Sequence, residues 1–176
     1  MTVVDVRITG IGGQGILTMA KILGSALVKE GKYATLIQNF DTFISGGEST
    51  ADMRVSDYPI EYPVFEKADI TVFMAKKTYP RYINKVKEGG IVVINSDVID
   101  EEPVGNFKVI KVPASSIARK LGNVRASNMV MLGALVSKLS LVNPEVVKEL
   151  IKEKFGSKAE LNLKAFEEGM KVGGMI

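Results

Sequence analysis

The 176-residue sequence contains no cysteine and no histidine. Without cysteine, the chain cannot form disulfide bonds, supply a thiol nucleophile or hold an iron–sulfur cluster through its own thiolates. Without histidine, it lacks the commonest metal ligand and the usual general base near neutral pH. Chemistry carried out by this chain alone would depend on carboxylates, lysines, hydroxyls or backbone amides. We therefore predict that it contains no catalytic residue and no metal site.

Long apolar runs and long blocks of one charge are also missing. No apolar run reaches the roughly 18 residues that typify a membrane span. The first residues, Met1 to Asp5, lack the basic and apolar regions of an export signal. We therefore expect a cytoplasmic protein with no membrane partner. Since the net charge is only +3 and aromatic residues make up only 7% of the chain, no nucleic-acid partner is expected.

The N-terminal part of the sequence predicts a strand, a glycine-rich turn, a helix and a second strand. Residues 3–9 form an apolar run that ends at the glycines, and residues 33–37 form another. Between them, over residues 14–30, apolar residues recur at helical spacing, and Gly31 occupies the position that follows a helix end. This order predicts a βαβ unit whose two strands are parallel neighbours.

The rest of the chain predicts further strands and then a helical final third. Over residues 50–56 apolar and polar residues alternate, which predicts a strand with one wet face at an edge of the sheet. Other short strands are predicted at 70–74, 91–94 and 107–111. Helices are predicted at 113–121, at 128–139 with Ser127 as its cap, from Asn143 onward, and at 160–171. Together these elements predict a single doubly wound, mostly parallel α/β domain that covers residues 1–176.

The first turn reads Gly10-Ile11-Gly12-Gly13-Gln14-Gly15, which has the G-x-G-x-x-G spacing of dinucleotide-binding turns. Glycine at these positions lets the backbone turn tightly and approach a phosphate at the N-terminus of a helix. A NAD site also needs an acidic residue at the end of the second strand, where this sequence has Gln38 and Asn39. The residues leave three interpretations open: a nucleotide-dependent oxidoreductase, a stand-alone ligand-binding regulatory module, and a tight turn without a ligand.

Polar residues follow the predicted strands at their carboxyl ends, where ligands bind in open parallel sheets. The glycine turn follows the first strand, and a polar loop at residues 38–50 follows the second. Lys76 and Lys77 follow the strand at 70–74, and Asn95 and Ser96 follow the strand at 91–94. We therefore predict a crevice at this edge that accepts an anionic ligand or a loop of a partner chain.

Five segments of the sequence occur in an order that is typical of one protein family. They are the Gly10-to-Gly15 turn, Gly46-Gly47, VSDYPI at 55–60, VPAS at 112–115 and NMVMLGAL at 128–135. In these segments the chain resembles the γ subunit, or γ domain, of 2-oxoacid:ferredoxin oxidoreductases. The resemblance extends from about residue 4 to residue 172, and the SDYPI segment is similar to the 2-oxoglutarate type.

The resemblance implies a subunit that is inactive alone. Within its complex, a 2-oxoacid, coenzyme A and oxidised ferredoxin would give acyl-CoA, CO2 and reduced ferredoxin. The implied partners are α and β subunits and a ferredoxin-like subunit, which carry thiamine diphosphate and iron–sulfur clusters. Coenzyme A is expected at the interface, where the glycine turn contacts either coenzyme A or a partner chain. The candidate binding residues are Gly10, Gly12, Gly13, Gln14, Gly15, Ser45, Gly46, Gly47, Lys76, Lys77, Asn95 and Asn128.

The sequence departs from the family pattern just before the double glycine. Family members carry aromatic-Gly-x-Glu-x-Arg-Gly-Gly, whereas this chain reads FDTFISGG over residues 40–47. Asp41 and Phe43 stand where glycine and glutamate are expected, and Ser45 replaces the arginine. Serine keeps a hydrogen-bonding group but loses the bidentate charged fork of arginine. The resemblance therefore does not establish which contact this loop makes here.

Overall fold

Apolar and amphipathic segments of the sequence form six strands and six α-helices in the computed structural model, which describes residues 3–41, 46–140 and 142–174. The strands are β1 (Val3–Ile11), β2 (Tyr33–Phe40), β3 (Glu48–Ser56), β4 (Ala68–Phe73), β5 (Val86–Asn95) and β6 (Lys108–Val112). The helices are α1 (Ile16–Lys29), α2 (Tyr79–Tyr82), α3 (Ala114–Lys120), α4 (Ser127–Lys138), α5 (Pro144–Phe155) and α6 (Ala159–Gly174). Short 3-10 turns at Lys76–Thr78 and Ile83–Lys85 flank α2.

The six strands form one sheet in the order β2-β3-β1-β4-β5-β6. The pairs β1–β4, β4–β5 and β5–β6 are parallel, whereas β3 is antiparallel to both of its neighbours, β1 and β2. The predicted α/β class, the mostly parallel sheet and the helical final third are confirmed. Among the described residues, no helix combines the length and low polarity that crossing a bilayer requires.

The position of β3 corrects two predictions. The strand predicted at an edge lies inside the sheet, and it separates β1 from β2, which were predicted to be parallel neighbours. The prediction failed because the polar face of β3 does not face water. Arg54 makes two hydrogen bonds to Asp5, of 2.7 and 3.0 Å, and Arg7 makes two to Asp52, of 2.8 and 2.6 Å. The Phe65 ring covers both guanidinium groups, with centroids 5.2 and 5.7 Å away.

Helices cover the two faces of the sheet unequally. On one face, alternate residues of the strands pack against α1 and α3–α6 in the main core, in which α4 is buried from Asn128 to Val136. On the other face, Phe73, Val92 and Ile94 form a smaller core with Tyr79 of α2. The rings of Phe73 and Tyr79 meet edge to face, with centroids 5.1 Å apart.

Of two predicted helix starts, one differs from the structure and one is confirmed. Ser127 is the first residue of α4 and does not cap it, since a 3-10 turn at Val124–Ala126 leads directly into the helix. The capping side chain lies one turn earlier, where Asn123 accepts a hydrogen bond of 3.0 Å from the amide of Arg125. Asn143 does cap α5, and it accepts a 3.0 Å bond from the amide of Glu145.

Helices α4 and α6 approach each other so closely that glycine is required between them. A β-carbon added at Gly169 would overlap the carbonyl oxygen of Val130, and one added at Gly133 would overlap the carbonyl oxygen of Phe166. Both oxygens belong to helix backbone, and Val130 and Phe166 are both in the main core, so neither oxygen can move aside without displacing the core. The small residues thus fix how α6 lies on α4.

We expect Gly169→Ala to lower the free energy of unfolding by about 3 kcal/mol, because the added methyl overpacks the contact between α4 and α6. Gly174→Ala is the matched control, since a β-carbon there meets no atom within 4 Å. The control should leave stability unchanged or raise it slightly through helix propensity. Urea unfolding followed by circular dichroism measures both. Equal stability losses in the two variants would contradict the close packing.

Candidate functional site

The glycine turn begins later than predicted, because β1 continues through its first two residues. Gly10 pairs with Ser49 and Ile11 pairs with Glu48, so both belong to the sheet. The turn itself runs from Gly12 to Gly15, and α1 begins at the next residue. The amide of Gly12 donates a 2.9 Å hydrogen bond to the carbonyl of Gly47. The two glycine segments predicted as site residues are therefore in direct contact.

Different glycines of the turn are needed for different reasons. Gly13 and Gly15 have φ values of 92° and 73°, which other residues rarely adopt. At Gly15 a β-carbon would also overlap the Asn128 side chain, and at Gly10 it would lie 2.5 Å from Oε1 of Gln14. A β-carbon at Gly12 would have only ordinary contacts, the nearest at 3.8 Å. The backbone of Gly12 and Gly13 is exposed to solvent.

Gln14 connects the ends of two neighbouring strands. Its Oε1 accepts a 2.9 Å hydrogen bond from the amide of Ile11, and its Nε2 donates a 3.2 Å bond to the carbonyl of Met74, just after β4. Both ends of the side-chain amide are thus engaged within the chain. In this structure the side chain holds the turn against the sheet, and its contact with a ligand stays a prediction.

The two lysines after β4 have different surroundings. Lys76 forms ion pairs with Asp100 at 2.7 Å and Glu101 at 3.2 Å. The hydrogen bond that Lys76 donates to Asp100, and to a smaller extent the one it donates to Glu101, raises the pKa of Lys76. Lys77 instead donates a 3.3 Å hydrogen bond to the carbonyl of Gly46. Of the two predicted cations, Lys77 is therefore the one that lies at the double glycine.

A buried pair of threonines anchors the backbone that carries Lys77. The Thr78 hydroxyl bonds to the Thr9 hydroxyl at 3.0 Å and to the Ala75 carbonyl at 3.0 Å. Thr9 in turn donates to the carbonyl of Val72 at 3.1 Å. Both threonines are fully buried. The pair was not predicted from the sequence, because Thr9 and Thr78 are far apart in the chain and no spacing rule connects them.

The two asparagines of the predicted site have structural contacts. Asn95 is 2% exposed; it donates a 2.9 Å bond to the Ser115 hydroxyl and accepts a 3.3 Å bond from the amide of Asp97. Asn128 is also buried, and its Nδ2 donates to the carbonyl of Gly15 at 3.4 Å. Asn95 thus holds the chain after β5, while Asn128 supports the glycine turn. Ser45 lies outside the described residues.

Five predicted residues come together at one edge of the sheet, which we call the glycine crevice: Gly12, Gly13, Gly46, Gly47 and Lys77. Gly47 is buried, whereas the other four residues are exposed. Its wall is formed by the start of α1, which has no acidic residue in its first turn and no side-chain cap. Exposed backbone, a helix N-terminus and one ammonium group together favour an anion. Lys76 and Asn95 are not part of this surface, because their side chains are engaged elsewhere.

The family follows from comparison with known proteins. The model of the pyruvate ferredoxin/flavodoxin oxidoreductase family matches residues 5–172 of this chain. The chain therefore belongs to that family, and the resemblance predicted from the sequence is confirmed.

Individual relatives match over nearly their whole length. The chain is 32% identical to the 2-oxoglutarate synthase subunit KorC of Methanothermobacter thermautotrophicus, over 94% of this chain and 92% of that subunit. It is 33% identical to the KorC subunit of Methanocaldococcus jannaschii, over 96% and 92% of the two chains. It is also 35% identical to the common γ subunit of the pyruvate/ketoisovalerate oxidoreductases of Thermococcus kodakarensis, over 94% of each chain.

Solved structures share the fold. The keto/oxoacid ferredoxin oxidoreductase γ subunit of Geobacter sulfurreducens is 26% identical, with a TM-score of 0.86 over 98% of this chain and 99% of that one. The 2-oxoglutarate:ferredoxin oxidoreductase of Magnetococcus marinus, solved with 2-oxoglutarate, coenzyme A and succinyl-CoA bound, is 23% identical with a TM-score of 0.92. It shares the fold over all of this chain, which spans 32% of that longer chain.

We expect Gly15→Ala to destabilise the protein by about 2 kcal/mol, because it combines a positive φ with overlap at Asn128. Gly12→Ala is the matched control within the same turn, since its β-carbon fits. Urea midpoints of the two variants, measured at constant pH, test this difference. A neutral Gly15→Ala variant would show that the turn relaxes in solution away from the described geometry.

Proposed function

We propose that this chain is the γ subunit of a 2-oxoglutarate:ferredoxin oxidoreductase, and that its glycine crevice faces coenzyme A. The observation that carries the proposal is the glycine crevice. The chain that contains it matches two KorC subunits along nearly their full length. The overall reaction would convert 2-oxoglutarate, coenzyme A and two oxidised ferredoxins to succinyl-CoA, CO2, one proton and two reduced ferredoxins.

This chain would contribute binding and assembly to that reaction. Its lack of cysteine and histidine means that iron–sulfur ligands and an imidazole base must come from other chains. Thiamine diphosphate, which stabilises the carbanion left by decarboxylation, would likewise be held by a partner. The proposed partners are α, β and ferredoxin-like subunits. In the Magnetococcus protein the same fold is part of a longer chain, which supports a role beside other domains.

The crevice suits the diphosphate of coenzyme A. The exposed backbone at Gly12 and Gly13 has no side chain to block a close approach, and α1 points its positive end toward the same surface. Lys77 adds a full positive charge beside Gly46. Since Ser45 replaces the arginine of the family pattern, Lys77 is the cation that we assign to this edge. These residues would hold the ligand, and no chemical step is assigned to them.

The order of the strands disfavours a NAD site. In a dinucleotide-binding fold the acidic residue that binds the ribose ends the strand next to β1. Here the strand next to β1 on that side is β3, which runs in the opposite direction and brings its amino end to the glycine turn. The strand that follows α1 in the chain is β2, which lies one position further from β1 than β3 does. β2 ends at Phe40 and has no acidic residue at its end. A nucleotide-dependent oxidoreductase therefore remains only the second candidate.

We expect the isolated chain to show no oxidoreductase activity and no measurable NADH binding. Activity with 2-oxoglutarate, coenzyme A and ferredoxin should appear only when the chain is combined with its partner subunits. Calorimetric titration measures NADH binding, and ferredoxin or viologen reduction measures activity. Micromolar NADH binding would favour the alternative function, a nucleotide-dependent oxidoreductase. A chain that purifies from its host without partners would instead favour a regulatory module.

Within the assembled complex, we expect Lys77→Met to raise the apparent KM for coenzyme A about tenfold, because it removes one charge-assisted contact. Lys76→Met is the matched control, and it should change KM by less than about twofold because Lys76 is held by Asp100 and Glu101. Size-exclusion chromatography of the same variants separates ligand binding from assembly. If the Lys77→Met chain fails to join the complex, the crevice is a subunit interface.

A further inference from the structure

The outer edge of β2 has no pairing partner in the part of the chain that the structure describes. β2 lies at the end of the sheet and pairs only with β3. The amide of Asp41 donates a 2.9 Å bond to the carbonyl of Glu48, so the odd-numbered residues of β2 direct their backbone groups at β3. The even-numbered residues therefore direct theirs away from the sheet, and these residues are Ala34, Leu36, Gln38 and Phe40.

The two edge strands of the sheet differ in how they are protected. β6 is only 5 residues long and has two exposed lysines, Lys108 and Lys111. Charged side chains and short length both discourage an edge strand from pairing with another chain. β2 is 8 residues long and contains neither a charged residue nor a proline. Of the two edges, β2 is therefore the one that is open to a further strand.

A groove of about 430 Å³ lies beside this edge, between α1 and β2. We call it the β2 groove and define it by small and apolar lining residues, which are Gly24, Val28, Ala34, Leu36 and Leu150. Val28 is 54% exposed, so part of this apolar lining is in contact with water. An apolar side chain from another chain would remove that surface from water, which is favourable.

Phe40 provides such a side chain on the same edge. It is the last residue of β2 and is 67% exposed. Since side chains alternate along a strand, Phe40 is on the same face of the sheet as Ala34 and Leu36, which line the β2 groove. Phe40 is about 20 Å along the strand from Ala34 of its own chain. It therefore cannot fill that end of the groove itself, whereas a second copy can supply the ring.

Antiparallel pairing of two β2 strands brings the ring and the groove together. If Ile37 of one copy lies opposite Ile37 of the other, Phe40 lies opposite Ala34. Leu36 then lies opposite Gln38, so every outward-directed residue of β2 faces an outward-directed residue of the other copy. A shift by two residues in either direction would place Ala34 or Phe40 opposite a residue outside β2. The register centred on Ile37 is therefore the one that uses the whole strand.

The charges around the β2 groove agree with this pairing. The charged residues that line it are both lysines, Lys21 and Lys29. Lys29 pairs with the exposed Glu153 at 3.2 Å, whereas Lys21 forms no ion pair within the described ranges. Asp41 is exposed and directly follows Phe40. A Phe40 ring that enters the groove would thus bring a carboxylate toward a positively charged lining, and two copies of the chain complement each other in shape and in charge.

We propose that two copies of this chain associate through β2, in an antiparallel pair centred on Ile37, with Phe40 of each copy in the β2 groove of the other. Backbone hydrogen bonds join the two strands, and the Phe40 rings fix the register. The sheet becomes continuous across both copies, and its unprotected edge is removed. This association depends on neither coenzyme A nor the overall reaction, so it goes beyond the proposed function and is tested separately from it.

Sedimentation equilibrium of the full-length chain measures the association. We expect the parent chain to form a dimer, and Phe40→Ala to raise the dissociation constant of that dimer at least about tenfold, because both anchoring rings are lost. Val104→Ala is the control, since it removes a 91% exposed apolar side chain that follows β5, away from β2. It should dimerise as the parent does. A monomeric parent chain, or equal dissociation constants for the parent and Phe40→Ala, would overturn the proposal.

Cysteine cross-linking tests the register. Because the chain has no cysteine, a single introduced thiol can form a disulfide only between two copies. In the proposed pair the two Ile37 residues are directly opposed, with α-carbons about 4.5 Å apart, which is within disulfide range. The two Asn39 residues, on the same face, are about 13 Å apart along the strands. Oxidation should therefore cross-link the Ile37→Cys variant and leave the Asn39→Cys variant unlinked on a non-reducing gel. No cross-link at residue 37, or an equal one at residue 39, would overturn the proposed pairing.

Discussion

The structure depends on two charge pairs that hold β3 against β1. Asp5 faces Arg54 and Arg7 faces Asp52, so the two strands carry opposite charges in matching order. Moving β3 by two residues would place Arg7 opposite Arg54 in one direction, or Asp5 opposite Asp52 in the other. Like charges at directly opposed positions destabilise a sheet, and here the side chains are also largely removed from water. The pairs therefore select one register among those that the apolar face would allow.

That register determines which residues meet at the glycine crevice. With Asp5 opposite Arg54, Ile11 lies opposite Glu48, and the amide of Gly12 reaches the carbonyl of Gly47. A shift by two residues would carry Gly47 about 7 Å along the strand, away from the turn. Lys77 would then lose its contact with Gly46 as well. The charged face of the sheet and the glycine crevice are thus parts of one arrangement, although no side chain belongs to both.

Local patterns in the sequence were sufficient for most of the fold. Apolar runs and helical spacing predicted most of the strands and helices, although β5 begins at Val86, before its predicted start at residue 91. The positions of the strand ends predicted that the loop at residues 38–50 lies at the same edge of the sheet as the glycine turn. The insertion of β3 was missed because its polar residues were interpreted from β3 alone, whereas their partners are on β1. Pairing between distant segments decides the position of β3, and periodicity within one segment carries no information about such pairing.

The same constraint explains why a G-x-G-x-x-G turn here does not imply a dinucleotide. The glycines specify a backbone that turns sharply into a helix, and that geometry is kept: Gly13 and Gly15 have positive φ, and α1 follows directly. What a dinucleotide site adds is a carboxylate on the adjacent parallel strand. In this sheet β3 displaces that strand outward by one position, about 4.8 Å. The place beside the turn is taken by a double glycine and the ammonium of Lys77, so the edge that would accept a ribose hydroxyl lacks the parallel strand and the carboxylate that a dinucleotide site needs.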